Sequence, residues 1–372
     1  MNNRTQIVNS KTSSILDRRT LLKGAAIAGI TAPFINRLVT PAKAQGTGVV
    51  NYAGDGGSYD EIMREVYFDP FEKETGIRVN SGVGTGLAVA KLQTMNSGGA
   101  EWDIVDLTNA EYTSAVRQDL ILPMDAKKVD TSKLLPKYVM SHGFTYVTYV
   151  WVMGYNKNLI NDADAPQSWA DFWDTKRYAG KRTLRPAASS GSVIEAALFA
   201  DRVTANQMYP IDVDRAFASL EKLGKDNVVW SDSLQEPVQR IGSGETPLGA
   251  IYTGRAILAN RAGANIGMVL NQGIVGGSAL SVIKNSNNKD EAFALLNFIA
   301  TRSDQAAKFV MKTSYGTSHV DLESLLPSDA DEIRATLPTN PDLQKSGLVI
   351  NNDWWADNLS SVAARFMEWQ LN

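Results

Sequence analysis

The sequence predicts an α/β protein with largely parallel sheets, built as two lobes. Short apolar runs rich in β-branched residues alternate with helical patterns all along the chain after residue 45, as strands and crossover helices do. Several of these runs are followed by a helix-start signal. The 328 residues beyond position 44 exceed what one hydrophobic core usually organises, hence two lobes.

In chain order, the first element is an address. Asp17-Arg18-Arg19-Thr20-Leu21-Leu22-Lys23 precedes a weakly apolar run from Gly24 to Ile35, and Ala42-Lys43-Ala44 forms a small-residue exit. Paired arginines, a modest apolar stretch broken by glycine and proline, and an A-x-A-like site read as a twin-arginine export signal over residues 1–44, cut before Gln45. The apolar run of about 12 residues is shorter than the roughly 20 needed to cross a bilayer. The expected location is therefore the periplasm, with the protein soluble after cleavage near Ala44.

The strand candidates follow: Gly48 to Tyr52, Ile77 to Asn80, Asp103 to Leu107, Val147 to Tyr155, Arg182 to Leu184, Val228 to Trp230, Leu248 to Tyr252, Ile266 to Leu270 and Ala279 to Ile283. Capping-box patterns at Ser58 to Glu61, Thr108 to Glu111, Ser192 to Glu195 and Ser233 to Glu236 predict four helix starts, each satisfying orphan backbone donors. In open α/β sheets, ligands bind beyond the carboxyl ends of strands, where such loops lie. The run Tyr146 to Tyr155 is too long and apolar for an average strand. A strand passing between lobes would look like this.

Composition narrows the function. Without residues 1–44 the chain keeps 30 basic and 39 acidic residues, a net charge of −9 with His neutral. That balance argues against nucleic acid or an anionic membrane surface as partner. Cysteine is absent, which removes disulfides, thiol catalysis and a lipid-anchor site, and His142 and His319 are the only histidines. A zinc site or a serine-histidine triad has little raw material, so no metal, cofactor or catalytic residue is expected.

One ordered set of motifs spans the mature chain. It comprises Gly56-Gly57-Ser58-Tyr59, Phe71 to Val79, Trp102-Asp103-Ile104-Val105, Gly154-Tyr155-Asn156-Lys157, Pro166 to Asp174, Gly180-Lys181-Arg182 and Tyr252-Thr253-Gly254-Arg255-Ala256. In this order the set resembles the periplasmic solute-binding proteins of ABC importers, in the spermidine/putrescine-binding branch. The resemblance implies a two-lobed periplasmic binding protein-like fold (type II), with the ligand cleft between lobes. Lobe 1 would take residues 46–150 plus 275–318, and lobe 2 residues 151–274 plus 319–372.

Candidate ligand-binding residues sit at strand exits and helix starts. Tyr59 begins the first helix, where its ring could cover a cationic ligand or simply pack at the rim. Thr85 lies in the loop Gly82-Val83-Gly84-Thr85-Gly86, read as a tight turn offering backbone N–H groups. Asp106 and Thr108 close the third strand, although Thr108 also explains itself as a helix cap. Tyr146 and Tyr149 precede the lobe crossing and could line the cleft floor or simply pack between layers. Ser190 and Ser192 open a helix and could offer hydroxyls to an anion or serve as a cap. Trp230 and Asp232 form the most suggestive pair, a ring and a carboxylate suited to an alkylammonium. Tyr252 ends the next strand, and Arg255 could hold a ligand carboxylate or make a structural ion pair.

Departures from the family pattern bear on the ligand. Polyamine binders surround their amines with carboxylates, whereas this chain has Ser189, Ser190 and Ser192, Tyr252-Thr253-Gly254 and Gln272-Gly273 at three such places. A dication in a closed cleft needs its charges matched. The expectation is therefore a monomeric, non-enzymatic receptor for a small amine-bearing solute, polyamine-like or zwitterionic, delivering it to an inner-membrane ABC permease. The alternative is an exported hydrolase using paired carboxylates.

Overall fold

The computed structural model describes residues 48–84, 88–98, 100–187, 192–337 and 339–371. The export signal, Thr85 and Ser190 lie outside the described residues. The strands are β1 (Val49–Gly54), β2 (Arg78–Val83), β3 (Ile104–Thr108), β4 (Val139–Met140), β5 (Gly143–Asn156), β6 (Arg182–Leu184), β7 (Val228–Trp230), β8 (Leu248–Tyr252), β9 (Ile266–Val282), β10 (Gly316–Thr317) and β11 (Leu348–Val349). They form a sheet in the order β2-β1-β3-β9-β5-β8-β6-β7, with β4 and β10 on β5 and β11 on β9.

The sheet is mixed rather than largely parallel. Its flanks, β1 with β2 and β3 and β6 with β7 and β8, are parallel. Its centre is antiparallel, because β5 and β9 run against each other, β9 against β3 and β5 against β8, while the short β11 lies parallel to β9. The sequence breaks β9 at Leu270 because Gly273, Gly276 and Gly277 read as punctuation. In the fold both parts belong to one 17-residue strand, which β5 pairs from Ile266 to Val269 and again from Ile274 to Leu280, with two register shifts. Gly276 is needed there, since a Cβ would sit 2.5 Å from the Tyr149 ring that lies across β9.

Each half of the sheet has its own core. Phe68, Phe71, Phe144, Phe298 and Phe309 cluster on the first half, and Trp151, Trp169, Phe172, Phe217 and Phe366 on the second. Leu322, Leu326, Ala330, Ile333 and Leu337 pack into the first cluster. The C-terminal helix Asn352–Leu371 seats Trp355, Val362 and Phe366 in the second. Among the described residues, no helix is long and apolar enough to cross a membrane.

Of the four capping boxes, Thr108 with Glu111 forms in full. The first helix, Gly57–Met63, instead begins after Gly56, whose N–H is taken by Asp60 rather than by the predicted Ser58 pair. Ser233 accepts from the Gln235 N–H just ahead of the helix Glu236–Ser243, and Glu236 turns to Arg240. Glu195 points into the protein, to Tyr209 and Trp355.

Candidate functional site

The carboxyl ends of the parallel strands converge on a cavity of about 490 Å³. Asp55 follows β1, Asp106 and Thr108 end β3, Arg185 follows β6, Asp232 follows β7, and Tyr252 ends β8; all line the cavity. The arrangement obeys the rule for ligand crevices in open α/β sheets. The C-terminal helix closes one side with Asn352, Trp355 and Leu359.

One pole of the cavity is acidic. Asp106 is buried and accepts a hydrogen bond from Tyr146, whose hydroxyl oxygen in turn accepts from Tyr59 at 2.9 Å. Burial and the nearby Asp55 push the Asp106 carboxyl well above its ordinary range, while the Tyr146 hydrogen bond pulls it back. Burial also raises Glu111, opposed by the Thr108 hydroxyl and N–H that bind its carboxylate. Carboxylates held this way favour an incoming cation, because it restores the charge balance that burial disturbs.

The opposite pole is basic. Arg185, 8% exposed, donates to the Asp232 carbonyl at 3.0 Å and the Tyr252 hydroxyl at 3.4 Å. Arg255 donates to Gln235 at 3.1 Å. Both guanidiniums keep a buried Nε with no hydrogen-bond partner among the described residues. A buried unmatched donor on a cation is costly, and an anion is its natural complement. Between the poles stands Tyr149, edge-on to Tyr252 with ring centroids 5.2 Å apart. Its phenol feels Glu111 and Asp106 from one side and Arg185 from the other. Tyr315 likewise faces Arg255 and, more weakly, Asp55, and burial pushes its hydroxyl up to about 12.

Of the residues expected from sequence, Tyr59, Asp106, Thr108, Asp232, Tyr252 and Arg255 line the cavity. Tyr146 stands behind them as the bridge between Tyr59 and Asp106. Two of the expected residues lie elsewhere. Trp230 is not in the lining: its ring packs edge-on against Phe366 at 5.0 Å and Trp369 at 6.0 Å, because the C-terminal helix covers that side of β7. Ser192 is buried in the first turn of its helix, also outside the lining.

Tyr149, expected with Tyr146 on the cleft floor, lines the cavity as well. Sequence reasoning missed Asp55, Glu111, Arg185, Tyr315 and Trp355. Asp55 and Arg185 carried the strand-exit signal that singled out Asp232. Trp355 carried no such signal, since the fold alone brings the chain's end to the cavity.

The family described as bacterial extracellular solute-binding protein matches residues 66–335. A gamma-aminobutyric acid-binding protein of Pseudomonas aeruginosa is 31% identical over 337 residues, 88% of this chain and 92% of that protein. The spermidine/putrescine-binding periplasmic protein of Escherichia coli is 27% identical over 325 residues, 84% of this chain and 88% of its own length. Among solved structures, the Atu4243-GABA receptor aligns with a TM-score of 0.79 at 29% identity, covering 87% of this chain and 98% of the receptor. The PBP AgtB of A. tumefaciens R10 in complex with agropinic acid aligns with a TM-score of 0.76 at 27% identity, covering 88% of this chain and all of that one.

Proposed function

The chain belongs to the bacterial extracellular solute-binding proteins, and from that premise we propose that it captures a small zwitterion of the γ-aminobutyrate type. The observation that carries this reading is the division of charge across one cavity, Asp55, Asp106 and Glu111 against Arg185 and Arg255, whose side holds two cations to the single acid Asp232. An ammonium at the acidic pole relieves the buried Asp106 carboxyl, and a carboxylate at the basic pole meets the Arg185 and Arg255 guanidiniums. A diamine satisfies the first pole but sets its second cation against two guanidiniums. The relatives named for γ-aminobutyrate and for polyamines bracket this choice, and the arginines favour the zwitterion.

The relatives are solute receptors, which favours capture over the hydrolase alternative and supports a non-enzymatic role. Capture proceeds by lobe closure, in which both lobes contact the ligand and so stabilise the closed state. Lobe 1 is proposed as residues 46–150 with 275 to about 340, further than position 318 because Leu322 to Leu337 pack with the first core. Lobe 2 is 151–274 with the remaining C-terminal segment. The protein acts as a monomer in the periplasm, reached through the twin-arginine route, and hands its ligand to an ABC permease.

Calorimetry of the purified protein against γ-aminobutyrate, butylamine, butyrate and putrescine tests the reading. γ-Aminobutyrate is expected to bind, and the analogues lacking one pole at least 100-fold more weakly. Arg185→Met should weaken γ-aminobutyrate binding by about 2–4 kcal/mol, the scale for losing a buried charge partner. Putrescine binding more tightly than γ-aminobutyrate, or Arg185→Met binding as wild type, would overturn the zwitterion.

A further inference from the structure

Among the cavity walls, Trp355 has the least obvious support. It comes from the chain's last helix and is 3% exposed, yet it lines the cavity. Its indole Nε1 donates to Glu195 Oε1 at 2.6 Å, and the Tyr209 hydroxyl donates to the same oxygen at 2.7 Å. Glu195 is fully buried, and its Oε2 has no partner among the described residues.

A buried carboxylate is expensive to retain, and an apolar residue of similar size would fill the same space at lower cost. What it does here is direct. With two donors on one oxygen, Glu195 fixes the plane of the indole from behind, on a helix of the second core. Tyr209 adds a second tie, since its ring also packs at 6.2 Å from Trp354, the neighbour of Trp355. Tyr209 and Trp355 are the side chains that bear on the Glu195 carboxylate, and no charged group among the described residues opposes it.

We infer that Glu195 is a positioning residue for ligand capture, holding the Trp355 indole as a fixed wall of the cleft through its Oε1. This rests on the reading of the cavity as the ligand site. Once the indole is held, the ligand meets a preformed surface and need not pay to order a large side chain on binding. Sequence alone reads Glu195 as one half of a helix cap, and its true partners are 14 and 160 positions away.

The test combines γ-aminobutyrate calorimetry with the indole N–H resonances of ¹⁵N-tryptophan-labelled protein, Trp355 being assigned by its loss in W355F. E195L and W355F are each expected to weaken binding about ten-fold, as loss of one buried hydrogen bond implies, and the double variant no further. E195Q keeps an acceptor oxygen and should stay within about two-fold of wild type. The Trp355 resonance should titrate with pH in wild type and stand still in E195Q, a readout that survives if E195L does not fold. Normal affinity in E195L, additive losses in the double variant, or a Trp355 resonance indifferent to E195Q would each overturn the inference. Failure of the functional reading looks different: wild type itself gives no heat with γ-aminobutyrate while the resonance still titrates.

Discussion

A carboxyl sealed from water holds its proton to higher pH, because burial penalises the charged form. In Glu195 that effect outweighs the two hydrogen bonds that favour the anion and moves the group from 4.5 up to about 7. The folded state therefore binds the proton more tightly than the unfolded chain. The stabilisation from this group is greatest below about pH 4.5, falls as the unfolded chain ionises first, and levels off above about pH 7. This group contributes a loss of about 3 kcal/mol across that window. Asp106 and Glu111 are shifted in the same direction, so the contribution is isolated by difference. Denaturant melts at intervals between pH 4.5 and 8 should show E195Q losing less stability than wild type as pH rises. Equal slopes would mean that Glu195 is ionised throughout. At this scale, polar residues at strand exits were legible in the sequence. Which of them face a ligand was not, as Trp230 and Arg185 show: the first is covered by Phe366 and Trp369, while the second is left with a bare donor.

The C-terminal helix is the element that ties the halves together. It is seated in the second core by Trp355, Val362 and Phe366. It also reaches the helix Asn109–Arg117 that follows β3, where Arg117 pairs with Asp353 at 3.4 Å and with Asp357. Both pairs are largely exposed, so each is worth no more than about 1 kcal/mol. They must break if the cleft opens along that edge. R117A is expected to raise the γ-aminobutyrate dissociation rate about two- to five-fold in stopped-flow measurements, and added salt should erase part of the difference from wild type. An unchanged rate would show that this contact persists in the open form. Local sequence reads helix starts well where the cap is self-contained, as at Thr108 and Glu111. It fails at Glu195, whose side chain is claimed by residues far along the chain.

At the scale of the molecule, two long antiparallel strands carry the chain between its halves, and parallel strands on either flank aim their carboxyl ends at one cavity. The opposing poles need this arrangement, since acids following β1 and β3 come from one half and Arg185 and Arg255 from the other. The proposed delivery to the periplasm by the twin-arginine route turns on the paired arginines Arg18 and Arg19. In cell fractionation, R18K/R19K is expected to leave uncleaved precursor in the cytoplasm. Export and processing at normal yield would rule out the twin-arginine route.

The alternation of strand and helix, the long crossing strand, the ordered motifs of the solute-binding family and the acids and ring at strand exits are properties of neighbouring residues, and the sequence determined them by itself. The antiparallel centre of the sheet, the unbroken β9 and the two-pole cavity were decided only in the tertiary structure. Each depends on packing between segments distant along the chain, where a glycine can be a close-contact position, an arginine can lose its partner to burial, and a tryptophan near the carboxyl terminus can become the wall of a binding site.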